Sequence, residues 1–593
     1  MTGKDKEHGG ETDPVAALGE IMGATAQQWQ EGWSDWVAML VPSGDGKAPG
    51  EAPAQPKIGV DPAKMLEAQM ELWHDFQTLW AATTARMMGK EAAPVIEPDA
   101  GDNRFRDPEW SDNPIFDFLK QSYLLNARWL RRSLAGIEGL DRAGAEKLDF
   151  VGRQIVDAFS PGNFALTNPV VLREMRETKG ESLMRGLQQL AEDLKDSEHG
   201  LRPRQTDMDA FEVGGNVATA PGAVVHRTEV MQLIQYEPST ETVYRKPLLI
   251  VPPWINKFYI LDLRPDNSFI RWAVDRGYTV FVISWVNPDE SHAALSFDDY
   301  LRDGILASLE AIERATGERQ TTAIGYCIGG TLLAAALAYM DAVGDERIGA
   351  ATFFAAQVDF EDAGELRIFT DEAHMDALED KVREKGYLDA ADMAGTFNAL
   401  RANDLIWHFV INNYLLGKEP PAFDLLYWNA DSTHFPAQLF IDYLRNMYQR
   451  NNLARPGEFE LLGEKIDLGR IGIPTYIQAS KEDHIAPAGS VFKLTRLFGG
   501  KKRFVLAGSG HIAGVINPPE KKKYQHWLVE GDAVHDDFES WFADAAERPG
   551  SWWPDWHRWL SRRSGKKVPA RKPGEGELGV IEPAPGSYVK RRS

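Results

Sequence analysis

The chain has 593 residues, 43% of them hydrophobic and 26% charged, which is too long for one simple core and implies a large domain with additional modules. Its 65 Lys and Arg against 88 Asp and Glu give a formal charge of −23, arguing against general nucleic-acid binding, and its single cysteine excludes an internal disulfide. The polar opening MTGKDKEHGGETDP lacks the apolar core of a secretory signal, and the run IGGTLLAAALAYM at 328–340 is too short to span a bilayer. A cytoplasmic, soluble protein with no transmembrane segment is therefore expected.

Residues 1–110 alternate helical stretches with Pro/Gly/Ala-rich spacers at 42–62 and 91–102, which cannot bury enough apolar surface to offset their ordering. Trp29, Trp33, Trp36 and Leu40 form one stripe at helical spacing, and Leu66, Met70, Trp73 and Trp80 a second. Such aromatic faces either pack on the rest of the protein or a second subunit, or dock on an apolar surface or partner protein. Residues 111–200 read as a helical domain, with DFLKQSYLLNARWLRRSL as the clearest segment.

From 201 to 593 the pattern is that of a catalytic-type α/β domain. Alternating runs after FEVGGNVATAPGAVV predict antiparallel strands. The buried-type runs PLLIVPP, TVFVISW, TTAIGY, ATFFAAQ, PTYIQAS and KRFVLAG then alternate with helical stretches, as in a mostly parallel sheet covered on both faces. The alternation breaks at about 359–438, where a mainly helical insertion is a candidate lid. The basic run RRSGKKVPARK at 562–572 reads as a solvated tail.

GYCIGG at 325–330 has the form of a nucleophile elbow, a sharp strand-to-helix turn crowded enough to require small neighbours, with Cys327 where serine is usual. The order nucleophile, acid, base is completed by Asp483 in QASKEDHIAP and His511 in LAGSGHIAGV, each just after a predicted strand. Asp359 is the competing acid; Glu482 reads as a surface charge and His484 as a loop residue. In these roles His511 takes the thiol proton of Cys327, and Asp483 fixes the imidazole tautomer. The backbone N–H of Ile328 supplies half an oxyanion hole, and Trp254 or Ile255 in VPPWINKFY supplies the other half. A thiolate attacking a thioester keeps the acyl group activated, which favours acyl transfer over hydrolysis. A cysteine thioesterase or depolymerase of the same fold is the alternative, and a granule-binding protein with a decayed site a third. No His/Cys ligand cluster and no phosphate-binding Gly-rich loop is present, so neither metal nor redox cofactor is expected.

The stretches SPGNFALTNP, FEVGGNVATAPGAVV, VPPWINKFYILDLRPDNSFIRW, GYCIGGT, FDLLYWNADSTHFP, EDHIAP, SGHIAGVINPP, GSWWPDW and EPAPGSYVK together resemble the class I polyhydroxyalkanoate synthases, from about residue 115 onward. The resemblance implies an α/β-hydrolase fold with a helical cap, preceded by a helical N-terminal domain. It also implies polymerisation of short (R)-3-hydroxyacyl-CoA thioesters, 3-hydroxybutyryl-CoA among them, with release of coenzyme A. Cys327 would then carry the acyl group and growing chain, His511 would be the base, and Asp483 would either orient it or activate the substrate hydroxyl. Trp428 matches a tryptophan near a dimer contact, with a core aromatic as the other reading. A homodimer at the surface of cytoplasmic polyester granules, with phasin-type partners, is further implied.

Overall fold

The computed structural model describes residues 59–195, 202–531 and 535–593, so the Trp29, Trp33, Trp36 and Leu40 stripe lies outside the described residues. Among the described residues the centre is an eleven-stranded sheet. Its strands in chain order are β1 (Gly222–Arg227), β2 (Met231–Tyr236), β3 (Leu248–Val251), β4 (Val280–Trp285), β5 (Thr321–Tyr326) and β6 (Ile348–Phe354). They continue with β7 (Thr475–Ser480), β8 (Lys502–Ala507), β9 (Gln525–Leu528), β10 (Ala546–Pro549) and β11 (Glu582–Pro583).

The spatial order is β10-β9-β8-β7-β6-β5-β3-β4-β2-β1-β11. The run from β8 to β4 is parallel throughout, and antiparallel strands extend it at both edges. The six apolar runs of the sequence are these six parallel strands. In β3, β4, β5 and β7 every residue is buried, which is why the runs are continuous and not alternating. Each fully buried Val, Leu, Ile or Phe side chain contributes roughly 1.5–3 kcal/mol.

Among the described residues five helices longer than four residues precede the sheet: α1 (Pro62–Met87), α2 (Pro114–Ala135), α3 (Arg142–Ala158), α4 (Pro169–Glu177) and α5 (Glu181–Lys195). Asp61, Asn113, Asp141 and Asn168 cap the first four by accepting backbone N–H groups, as their short polar side chains favour. Packing runs across the boundary expected near residue 110: α1 lies along α2 through the ion pairs Arg86–Asp117, Arg128–Asp75 and Arg132–Glu71. Among the described residues the helical layer thus includes α1, joined to α2 by two arginines of α2 on acids of α1 and one arginine of α1 on an acid of α2.

The insertion between β6 and β7 is mainly helical as expected, but it extends past 438 to the start of β7. Its helix α7 (Ala437–Tyr443) follows α6 (Asp424–Ala430), and a hairpin of Glu460–Leu461 and Glu464–Lys465 comes before the next strand. The N-terminal layer rests on this cap. Gln154 donates to the Ala399 carbonyl at 2.9 Å, and Tyr414 donates to Asp193 at 2.7 Å. Gly186 allows the closest approach, since a Cβ there would lie 1.9 Å from the Tyr414 carbonyl oxygen.

The basic run at 562–572 is not a free tail. Lys567–Pro569 pairs antiparallel with Thr242–Tyr244, Lys567 sits over the Tyr244 ring, and Arg571 meets Glu318 at 2.9 Å. Further on, β11 covers the open edge of β1. No helix among the described residues is long and apolar enough to cross a membrane.

Candidate active site

Cys327 ends β5 and precedes the helix Ile328–Val343, with a backbone φ of 53° that an L-residue adopts only under constraint. The constraint is crowding. A Cβ at Gly325 would lie 2.5 Å from Gly330 Cα, one at Gly330 would lie 2.4 Å from Ala356 Cβ, and one at Gly329 would lie 2.3 Å from the Val251 carbonyl oxygen. The Cys327 N–H donates to the Phe354 carbonyl at 2.9 Å, fixing the turn against β6. The thiol itself is half-buried and unbridged.

The loops after β7 and β8 bring the other two groups to the same end of the sheet, outside the carboxyl ends of the parallel strands. His511 Nδ1 and Asp483 Oδ2 are 2.7 Å apart, and Cys327 lies close enough to the imidazole to favour its charged form. Asp483 is sealed from solvent at its side chain, and its Oδ1 accepts from the Ile485 and Ala486 N–H groups, both at 2.9 Å. Burial opposes a charged imidazole, but Asp483 and Cys327 outweigh it and raise the His511 pKa well above the usual histidine range. The ring stacks on Tyr326, 5.8 Å between centroids.

The competing acid is elsewhere: Asp359 accepts from Asn451 at 3.0 Å and pairs with Lys493. Glu482 is exposed, and His484 is a half-buried loop residue whose pKa burial lowers. Trp428 is a core aromatic here, with its indole N–H donating to the Lys257 carbonyl at 2.7 Å.

The segment 252–258 following β3 packs directly on the start of the Ile328–Val343 helix, through the contact of Gly329 with the Val251 and Pro252 carbonyls. Ile328 directly follows Cys327 and stands in the first turn, where N–H groups have no intrahelical acceptor, and Ile255 lies three residues beyond the Pro252 that meets that turn. The Trp254 ring points into an aromatic cluster with Trp285, Phe297, Tyr300, Phe435 and Tyr443, so only its backbone can serve the site.

Sequence reasoning passed over four contributors. Tyr443 and Tyr448 of the cap are buried near Cys327, and burial first pushes their hydroxyl pKa values up, with Cys327 adding to both and Tyr448 to Tyr443. Trp552 and Trp553 donate to the Gly514 and Val515 carbonyls at 2.8 and 2.9 Å and so brace the loop that carries His511. Their motif, GSWWPDW, was visible, but its partners are distant in sequence. Among the described residues no group of three or more His, Cys, Asp and Glu is arranged to hold a metal ion.

Residues 101–273 match the family described as poly-beta-hydroxybutyrate polymerase (PhaC) N-terminus, and residues 249–518 match the alpha/beta hydrolase fold. A poly(3-hydroxyalkanoate) polymerase of Methylorubrum extorquens is 51% identical over 533 residues, covering 90% of this chain and 88% of its own. The poly(3-hydroxyalkanoate) polymerase subunit PhaC of Rhizobium meliloti (strain 1021) is also 51% identical over 533 residues, with 90% and 87% covered. That of Cupriavidus necator is 40% identical over 577 residues, covering 96% and 94%.

Proposed function

The chain belongs to the poly(3-hydroxyalkanoate) polymerases, acyltransferases that polymerise hydroxyalkanoate units, and from that membership we propose that it extends polyester from short (R)-3-hydroxyacyl-CoA through a thioester on Cys327. The observation that carries the reading is the single thiol at a strained elbow, close to a buried imidazole whose Nδ1 meets Asp483 at 2.7 Å.

In the proposed cycle His511 accepts the Cys327 proton, and the thiolate attacks the thioester carbon. The resulting oxyanion lies toward the N–H groups of Ile328 and Ile255. Collapse expels the coenzyme A thiolate, which takes the proton from His511 and leaves acyl-Cys327. The 3-hydroxyl of a second unit then gives its proton to His511 and attacks that thioester. An ester forms, and the sulfur that departs takes the proton back. Side chains and backbone supply every step, so no metal or redox cofactor is needed.

Both oxygens of Asp483 are engaged within the protein, which supports an orienting role toward His511 over contact with the substrate hydroxyl. The exposed stripe of Leu66, Met70, Trp73 and Trp80 on α1 supports a contact outside this fold, in our reading the granule surface, a phasin-type protein or a second subunit.

The test is to incubate purified protein with (R)-3-hydroxybutyryl-CoA while following free coenzyme A and the acyl product, with Cys327→Ala as control. Coenzyme A release with insoluble polyester, absent in the variant, is the expected result. Release with only free 3-hydroxybutyrate would mean a hydrolase instead.

A further inference from the structure

One segment of the cap grips the loop that carries Ile255 at four places. The Trp428 indole donates to the Lys257 carbonyl at 2.7 Å, and Thr433 Oγ1 donates to the Trp254 carbonyl at 2.8 Å. Asn256 and Ser432 form an antiparallel bridge. Asp431 accepts from Lys257 Nζ at 2.6 Å and from the Tyr259 hydroxyl at 2.8 Å. On its other side the same loop is held by Trp285, whose indole donates to the Pro252 carbonyl at 2.8 Å.

Lys257 and Asp431 have side chains only 3% exposed. A buried ion pair is a weak source of stability, because desolvating two charges offsets most of their attraction, and an apolar pair of similar volume is often as stable. What such a pair does well is fix geometry, since neither charge can move without losing its nearest partner. Here it holds Lys257, two residues after Ile255, while Thr433 holds the Trp254 carbonyl of the peptide that carries the Ile255 N–H.

We propose that Asp431, acting through Lys257 and Tyr259, is a positioning residue that aims the Ile255 amide at the reacting oxygen. Seating the cap segment 428–433 and completing the oxyanion site are then one event. The proposal rests on the catalytic reading of Cys327 given above. Asp431 touches no reacting atom, so its removal should spare the nucleophile and weaken only the step that builds negative charge on oxygen.

Two rates on the full-length protein separate these effects: turnover of (R)-3-hydroxybutyryl-CoA, and alkylation of Cys327 by iodoacetamide, which displaces iodide and forms no oxyanion. Asp431→Ala is expected to lower kcat about 30-fold, somewhat less than loss of a whole oxyanion donor, with KM and alkylation within about twofold of the parent. Asp431→Asn, which keeps an acceptor for Lys257 and a partner for Tyr259, should recover kcat to within about fivefold of the parent. If Asp431→Ala does not fold, the double variant Lys257→Met with Asp431→Leu replaces the ion pair by an apolar one and should show the same kcat loss. An unchanged kcat, or an equal fall in alkylation and turnover, would overturn the proposal. A parent whose turnover does not depend on Cys327 would instead sink the functional reading beneath it.

Discussion

The carboxyl end of the parallel sheet and the outer face of α1 treat their large side chains in opposite ways. Around Cys327 the aromatic residues are buried, the Trp552 and Trp553 indoles each find a carbonyl, and Asp483 has partners on both oxygens. On α1, Trp73 and Trp80 are 66% and 68% exposed, while Leu79 on the inner face is fully buried. The helix is held to α2 by ion pairs as well as by that inner face. One region packs its large side chains inward, and the other leaves apolar surface uncovered by the described residues. The contrast separates residues that serve chemistry from residues that serve contact.

The contrast is broken most severely at the nucleophile. Cys327→Ala should lower turnover by at least about 10⁴-fold, since nothing else in the site can hold the acyl group. Asp483→Asn keeps the shape but presents an amide to His511 Nδ1 and so favours the wrong tautomer; a fall of about 10²–10⁴-fold in kcat is expected, with slower iodoacetamide alkylation as well. Undiminished alkylation in that variant would argue that Asp483 works on the substrate and not through His511.

On the helical side the comparison is one of stability, read by urea unfolding. Leu79→Ala should cost about 2–4 kcal/mol as a buried truncation. Trp73→Ser, on the open face, should change stability by no more than about 0.5 kcal/mol. Equal losses would mean that the outer face is covered in solution.

The smallest effect is a pH dependence. A raised folded pKa means that His511 binds its proton more tightly in the folded chain than in the unfolded one. Its contribution to stability is then complete below about pH 6.5 and lost as pH rises through the higher folded value. The stability difference between the parent and His511→Gln should therefore shrink as pH rises above about 6.5 and through the raised folded value, and a difference that grows would contradict the direction of the shift.

How much of this was legible in the sequence depends on the kind of signal involved. The six parallel strands announced themselves because burial on both faces writes uninterrupted apolar runs such as PLLIV and TVFVISW. Cys327 was legible because crowding at the elbow admits only Gly at 325, 329 and 330. The Lys257–Asp431 pair was not, since its members lie 174 residues apart and neither has a local pattern. The basic run at 562–572 misled for a related reason: Lys567–Pro569 pairs with Thr242–Tyr244 through backbone hydrogen bonds, which leave no period in the side chains.

The central claim is that Cys327 carries the acyl group. Its most direct measurement is the mass of the protein quenched during turnover of (R)-3-hydroxybutyryl-CoA, followed by mapping of the modified peptide. The account predicts one or more hydroxybutyryl units in thioester linkage on the peptide containing Cys327, removed by hydroxylamine and absent from Cys327→Ala. Turnover with no adduct on that peptide, or with the adduct on another residue, would contradict it.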